Sequence, residues 1–451
     1  MVTPVRPGRK AKPAKALMVW MNGEEVGLWQ ITPAGSHQFT YSTSWQASPQ
    51  FRPISLSIPA TGRPVVGEAV VRYFENLLPD RDEFRRAMRD NARLASTSEF
   101  DLLAHYGRDC VGAVTLLPQG EVPEPVTAMR MEALSDADVA AVLRGATLAP
   151  SVGGELRLSL AGAQSKTALT FWNGRWNRPL GVTPTTHILK LPMGMVGDPP
   201  VPFHHSVDNE HLCSVLMGQL GFEIAPTQIA CFEDQRVLAV ERFDRAMAPG
   251  GYLLRLPQED MCQALGAPRA AKYEHRDGGP GIQRIDELLR FSRDAQRDRA
   301  TFLRANIVFW LLAATDGHAK NFSLRLEPGG GYRLAPLYDV MTTYPVIGGK
   351  AGTFDRHKLH MAMAPPGTKN RHFAHKEIRL RHWQDSARAL GLDFNPAAML
   401  DELAGNVDHI AAATEAMMPR GIDDHTVSRT LDLFVRATKR AATGAAILVP
   451  G

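Results

Sequence analysis

The feature that most constrains this chain is a pair of acidic segments separated by a short predicted ribbon. Thr315-Asp316-Gly317-His318-Ala319-Lys320-Asn321 sets Asp316 and Asn321 five positions apart, and Leu337-Tyr338-Asp339 follows downstream. Between them, Phe322–Leu326 and Tyr332–Leu334 flank Pro328-Gly329-Gly330-Gly331. Two apolar runs across a glycine turn predict a β-hairpin. That connector folds Asp339 back toward Asp316, so the fold has to gather two carboxylates and a carboxamide around one point.

At 451 residues the chain is about three times the usual single-domain length, so two or three packed units are expected. Hydrophobic residues at 44% and charged residues at 22% fit a globular protein. No apolar run approaches the ~18 residues of a membrane-spanning helix. Cys110, Cys213, Cys231 and Cys262 lie far apart with no C-x-x-C pair, which argues against zinc or disulfide frameworks and for a reducing cytoplasm. The net charge of +4 is unevenly placed. Arg6, Arg9, Lys10, Lys12 and Lys15 precede any acidic residue and alternate with prolines, so residues 1–15 are expected to be a basic, disordered tail.

The chain divides by texture. Residues 17–30 read as a hairpin across Asn22-Gly23. Phe39–Tyr41 and Leu56–Ile58 read as further strands, with helices near 67–78 and 83–94 and another opening at Phe100. A small α+β unit is expected over 16–125, ending in the proline-rich stretch 118–126. A second unit, 126–245, has a short helix at Leu134–Leu143 and strands at 156–158, 167–171, 187–190 and 237–240. One helix at 207–220 interrupts them, with Leu212, Val215, Leu216 and Leu220 at helical spacing. Residues 246–446 are mostly helical.

The Asp-x-x-x-x-Asn spacing is that of the catalytic loop in protein kinases, followed there by a second metal-binding aspartate. Phosphoryl transfer needs one carboxylate to take the proton of the attacking hydroxyl, a role that fits Asp316. It also needs oxygen ligands for Mg²⁺, which fit Asn321 and Asp339. Leu158–Thr167 is a small-residue loop in which Ala161, Gly162, Ala163 and Gln164 let backbone N–H groups approach ATP phosphates; taken alone it is simply a tight turn. Lys190 ends a strand some thirty residues later, where kinases carry their phosphate lysine, and Glu210 on the next helix is a candidate partner. Glu241, Phe243 and Asp244 follow the strand where two lobes should join, placing them for adenine and ribose contacts. His318 is placed to position the loop. The runs Arg255–Gln263 and Asp277–Gly281 are conspicuous, but residue type and spacing give them no chemistry.

These motifs together closely resemble the HipA family, the serine/threonine kinase toxins of bacterial HipBA toxin–antitoxin modules. The resemblance rests on residues 157–164, 183–190, 238–245, 254–263, 314–323 and 336–339, and extends to Trp20–Asn22, Glu75–Asp80 and Gly107–Gly112. It implies an α+β, eukaryotic-protein-kinase-like two-lobe fold that binds ATP and Mg²⁺, with a mixed N-terminal lobe and a helical C-terminal lobe. It implies Asp316 as the catalytic aspartate, Asn321 and Asp339 as Mg²⁺ ligands, and Lys190 as the phosphate lysine. Ser159 matches the family's autophosphorylated serine, whose modification switches the kinase off. Two added negative charges beside Gly162 would repel the triphosphate. The resemblance further implies a helix-turn-helix antitoxin partner, operator DNA bound through that complex, and glutamyl-tRNA synthetase as the protein substrate. Ser165 stands where the family pattern has an acidic residue. Two other readings compete: a small-molecule phosphotransferase on the same scaffold, and a catalytically idle, antitoxin-binding co-repressor.

Overall fold

The computed structural model describes residues 15–148, 164–197, 199–367, 369 and 371–447. The first unit is a five-stranded antiparallel sheet. Its strand order is Val65–Val66, His37–Tyr41, Glu24–Ile31, Lys15–Met21, Val114–Pro118. Asn22 and Gly23 turn the first hairpin at φ 46° and 86°, the positive values that an Asn-Gly pair tolerates with least strain. Lys15 opens the first strand instead of belonging to a tail, and the remainder of the expected tail lies outside the described residues. Helices Glu68–Glu75, Asp82–Asn91 and Glu99–Tyr106 close the unit. Trp29 stacks on Phe74 at 3.8 Å in its core, and both are fully buried.

Leu56–Ile58 is not a strand. Its polar groups bond outward to a later segment: the Leu56 N–H donates to Glu259 Oε1 (2.9 Å), and the Ser57 hydroxyl donates to Gln263 O (2.7 Å). The apolar alternation there serves an inter-unit seam, which local periodicity cannot distinguish from a sheet edge.

The second unit is a six-stranded sheet in the order Thr227–Phe232, Gln235–Glu241, His187–Lys190, Lys166–Trp172, Arg175–Pro179, Met131–Ala133. Because side chains alternate along a strand, the sheet has two distinct apolar faces. Leu169, Leu189, Val237 and Ala239 pack against Val139 and Leu143 of helix Asp136–Leu148. Leu238 and Val240 pack against Val207 of helix Ser206–Gln219. The strand expected at 156–158 lies outside the described residues.

The third unit is helical, built on Ile282–Leu289, Ala295–Leu311, Leu380–Leu390, Pro396–Ala416 and Asp424–Ala442. Its core holds Phe302, Phe322, Trp310, Trp383 and Phe434, all almost fully buried. A three-stranded ribbon of Gln258–Asp260, Ser323–Leu326 and Tyr332–Leu334 lies on it. The Pro328–Gly331 turn reverses the chain with Gly329 and Gly330 at φ 78° and 79°. Among the described residues, no helix is long and apolar enough to cross a membrane.

The unread run Arg255–Gln263 forms the seam between the first and third units. Arg255 N–H donates to Asn22 Oδ1 (2.9 Å) and its guanidinium to Asp109. Asp260 and Gln263 form a capping box that starts a one-turn helix. Around Asp109, three arginines that are 2–4% exposed (Arg242, Arg245, Arg255) converge with Thr185 and the neighbouring carboxylate of Asp244. Burial alone would raise the Asp109 carboxyl, but the three guanidiniums outweigh it and hold it well below the usual carboxylate range.

Candidate active site

The helix Ala295–Leu311 delivers the acidic segment, and Ala313 at φ 47° turns the chain off its end. Asp316 emerges exposed. Gly317 presses against Phe309, where a Cβ would come within 2.4 Å of the ring, so glycine is needed between the aspartate and His318. A short 3₁₀ turn, Ala319–Asn321, then buries Lys320 and Asn321.

The ribbon returns as its spacing predicts. The Tyr338 hydroxyl bonds Ser323 Oγ (2.6 Å) and donates to Lys320 O (2.8 Å), which ties the second acidic segment beneath the first. Asn321 Nδ2 donates to Asp339 O (3.2 Å). Asp339 sits at φ 60°, a conformation costing on the order of 1–3 kcal/mol in a non-glycine residue and typical of residues held for function.

Lys190 reaches this point from the sheet. Its ammonium lies 2.6 Å from Glu210 Oε1 and 2.7 Å from Asp339 Oδ1. Burial works against that charge, but the two carboxylates more than offset it and hold the lysine above its ordinary range. Burial pushes the Glu210 carboxyl up, to about 7, with the Lys190 charge opposing. Asp339 is held low, because Lys190 and Lys166 together exceed its desolvation cost.

One cavity between the second and third units is lined by Asp316, His318, Asn321, Asp339 and Lys190, and also by Gln164, Glu241, Phe243 and Asp244. Glu210, the candidate partner singled out with them, stands behind Lys190 and outside the lining. Ser159, Ala161, Gly162 and Ala163 lie outside the described residues. Gln164 Nε2 donates to Leu191 O (2.6 Å), which joins the end of that loop to the Lys190 strand. Ile188, Ala225 and Val240 give the cavity an apolar wall, and Phe243 stacks on Tyr338 at 5.7 Å. His318 is buried with Nδ1 unpaired, and burial lowers its pKa.

Asp244 is also held by the protein itself. Its oxygens already accept from Arg242 Nε (2.9 Å), Arg242 Nη2 (2.8 Å) and Gly112 N (2.7 Å), with Arg245 at 3.2 Å. These donors tie it to the seam between units, mostly through Oδ2, while the residue still lines the cavity. Asp208 pairs with Arg236, and the Ser206 hydroxyl accepts from Met193 N (2.7 Å).

Sequence reasoning missed two contributors. Lys166 lies directly across the strands from Lys190 and lines the same cavity; burial, then Lys190 repulsion, lower its pKa to about 8. Its signal was present, since a strand that follows the small-residue loop brings its first residue to the phosphate end. The other contributor is Asp80 of the first unit, which ion-pairs Lys320 and Lys272, each at 2.9 Å. Asn76 Oδ1 also accepts from Lys320 (3.0 Å). The acidic segment is thus braced by a unit 240 residues earlier in the chain, a separation no local pattern reveals.

Asn321 and Asp339 offer hard oxygen donors, the ligand type Mg²⁺ takes. The Asn321 amide nitrogen is committed to Asp339 O, leaving the amide oxygen for a cation. The unpaired His318 Nδ1 and the two lysines supply polarity suited to a triphosphate, beside an apolar wall suited to a base. The residues present fit both groups.

Residues 158–414 match the family model described as the HipA-like C-terminal domain, and residues 17–117 match the HipA N-terminal domain. "Putative kinase Y4mE" of Sinorhizobium fredii is 33% identical over 344 residues, 74% of this chain and 80% of that protein. The serine/threonine-protein kinase toxin HipA of Shewanella oneidensis is 30% identical over 346 residues, 73% of this chain and 76% of its own length. The solved Shewanella oneidensis HipA, in a complex with HipB and operator DNA, has the same fold at a TM-score of 0.77. That match is 23% identical and covers 95% of this chain and 97% of that one.

Proposed function

Since this chain belongs to the HipA family, a family of kinase toxins, we propose that it is an ATP- and Mg²⁺-dependent protein serine kinase of a toxin–antitoxin pair, acting in the bacterial cytoplasm on a eukaryotic-kinase-like two-lobe scaffold. The observation that carries this reading is the convergence of Asp316, Asn321, Asp339 and Lys190 on one cavity. In this reading residues 126–245 and 246–446 are the two lobes, and 16–125 is an appended unit.

Each residue then has one task. Asp316 accepts the proton of the serine hydroxyl as its oxygen attacks the γ-phosphorus and ADP leaves. The Lys190 ammonium, oriented by Glu210, pairs the phosphate oxygens, with Lys166 beside it. Asn321 and Asp339 would hold Mg²⁺, which would neutralise charge on the transferring phosphates. Ile188, Ala225 and Val240 exclude water around the base. The Glu241 N–H already donates to Pro226 O (2.9 Å), so the base is read by the Glu241 carbonyl or by Phe243.

Ser159 is the proposed autophosphorylation brake. The partner is a helix-turn-helix antitoxin with which the chain represses its operator, as supported by the relative solved with HipB and DNA. The proposed substrate is glutamyl-tRNA synthetase. Incubation with γ-labelled ATP and Mg²⁺, followed by phosphopeptide mapping, tests the whole reading. Label is expected on a serine of the synthetase and on the peptide containing Ser159, and Ser159→Ala should remove the latter. No transfer to protein, or an unchanged map in the variant, rejects it.

A further inference from the structure

Asp316 is exposed, as the residue that meets an incoming hydroxyl must be, yet it already has a hydroxyl on it. The Tyr273 hydroxyl donates to Asp316 Oδ1. Among the described residues this is the sole side-chain hydrogen bond to that carboxylate. A general base engages its acceptor through this same contact, an O–H donor within hydrogen-bond reach.

The tyrosine is built into place. Its ring lies 4.2 Å from the Arg276 guanidinium and meets the His318 ring edge-on at 4.8 Å. The strap that carries it is pinned at both ends. Ala319 N donates to Lys272 O (3.2 Å) and Glu274 N to Ala362 O (3.1 Å). The run Asp277–Gly281, unread in the sequence, closes the strap. Gly278 turns at φ 66°, the Gly279 N–H donates to Tyr273 O (3.0 Å), and a Cβ on Gly279 would lie 2.0 Å from Ala271 O. The glycines are therefore needed for the strap to double back and hold the tyrosine over the aspartate.

We propose that the Tyr273 hydroxyl is a resident occupant of the acceptor seat at Asp316 Oδ1, which a substrate hydroxyl must displace and which keeps water off that oxygen until it does. The inference rests on the kinase reading of this site. With the seat open, water can serve as acceptor: its oxygen bonds the γ-phosphorus, the bond to ADP breaks, and its proton passes to Asp316. The products are ADP and inorganic phosphate. Tyr273 is then a positioning residue that trades acceptor affinity for suppression of this hydrolysis.

Tyr273→Phe keeps the ring and removes only the hydroxyl. Release of inorganic phosphate from Mg·ATP, with no protein acceptor present, is expected to rise about tenfold, the worth of one hydrogen bond to a charged group. With glutamyl-tRNA synthetase as the probe acceptor, its KM should fall while the KM for ATP stays constant, a split that a merely structural role would not produce. Arg276→Gln, which loosens the ring, should move both quantities in the same direction by less. Unchanged or lower phosphate release in Tyr273→Phe, at an unaltered melting temperature, overturns the proposal. So does phosphotyrosine at 273 in the unaltered protein, which would make the residue an acceptor. A wild-type protein that neither hydrolyses ATP nor transfers its phosphate sinks the kinase reading itself, and the occupant with it.

Discussion

Asp316→Asn is expected to lower phosphoryl transfer from labelled ATP by about 10²–10⁴-fold, the usual worth of a positioned general base. Asparagine keeps the shape of the side chain and can still accept a hydrogen bond from Tyr273, so the fold and the strap should survive. It cannot take the proton of the attacking serine. Asn321, Asp339 and Lys190 are untouched by the change, so the KM for ATP should stay near its original value. The fall should therefore appear in kcat. A variant that retains most of its transfer rate would remove Asp316 from the role assigned to it. One that loses nucleotide binding instead would place Asp316 among the phosphate or metal ligands.

Asp109→Ala should be the most destabilising single change away from the cavity, by about 3–5 kcal/mol. Asp109 is 4% exposed and accepts from Thr185 Oγ1 (2.6 Å), Arg245 Nη2 (2.9 Å) and Arg255 Nε (2.9 Å). Alanine would leave three buried guanidiniums facing one another, with Asp244 as the remaining close carboxylate. That loss is a large part of the ~5–15 kcal/mol that holds a typical protein folded. The seam joins the first unit to the other two, so the variant should also expose the first unit to proteolysis before the helical core opens. Thermal melting and limited proteolysis read both effects, and an unchanged melt with an unchanged digestion pattern would contradict them.

Local signals carried much of this molecule. Asn22-Gly23 announced the first hairpin, Pro328–Gly331 the returning ribbon, and the leucines at 212, 216 and 220 the helix that carries Glu210. Each depends on neighbours within a few residues, where side-chain period and turn chemistry decide the backbone. The spacing of Asp316 and Asn321 was legible for the same reason, since a turn of fixed length separates them. What escaped reading depends on residues distant in the chain. Asp244 is held in the seam by Gly112, 132 residues earlier in the chain. Leu56–Ile58 looked like a strand until Glu259 and Gln263 received its donors. Residue type and spacing give Tyr273 and Asp80 no chemistry, and their meaning comes only from Asp316 and Lys320, brought to them by folding.

A crystal structure with Mg²⁺ and a non-hydrolysable ATP analogue decides whether two carboxylates and a carboxamide converge on one magnesium-bound triphosphate. A divalent ion is expected about 2.1 Å from Asn321 Oδ1 and from the Asp339 carboxylate, with Lys190 on the phosphates and the apolar wall of Ile188, Ala225 and Val240 against the base. A nucleotide bound elsewhere, or a metal in this cavity that ignores Asn321 and Asp339, would contradict it.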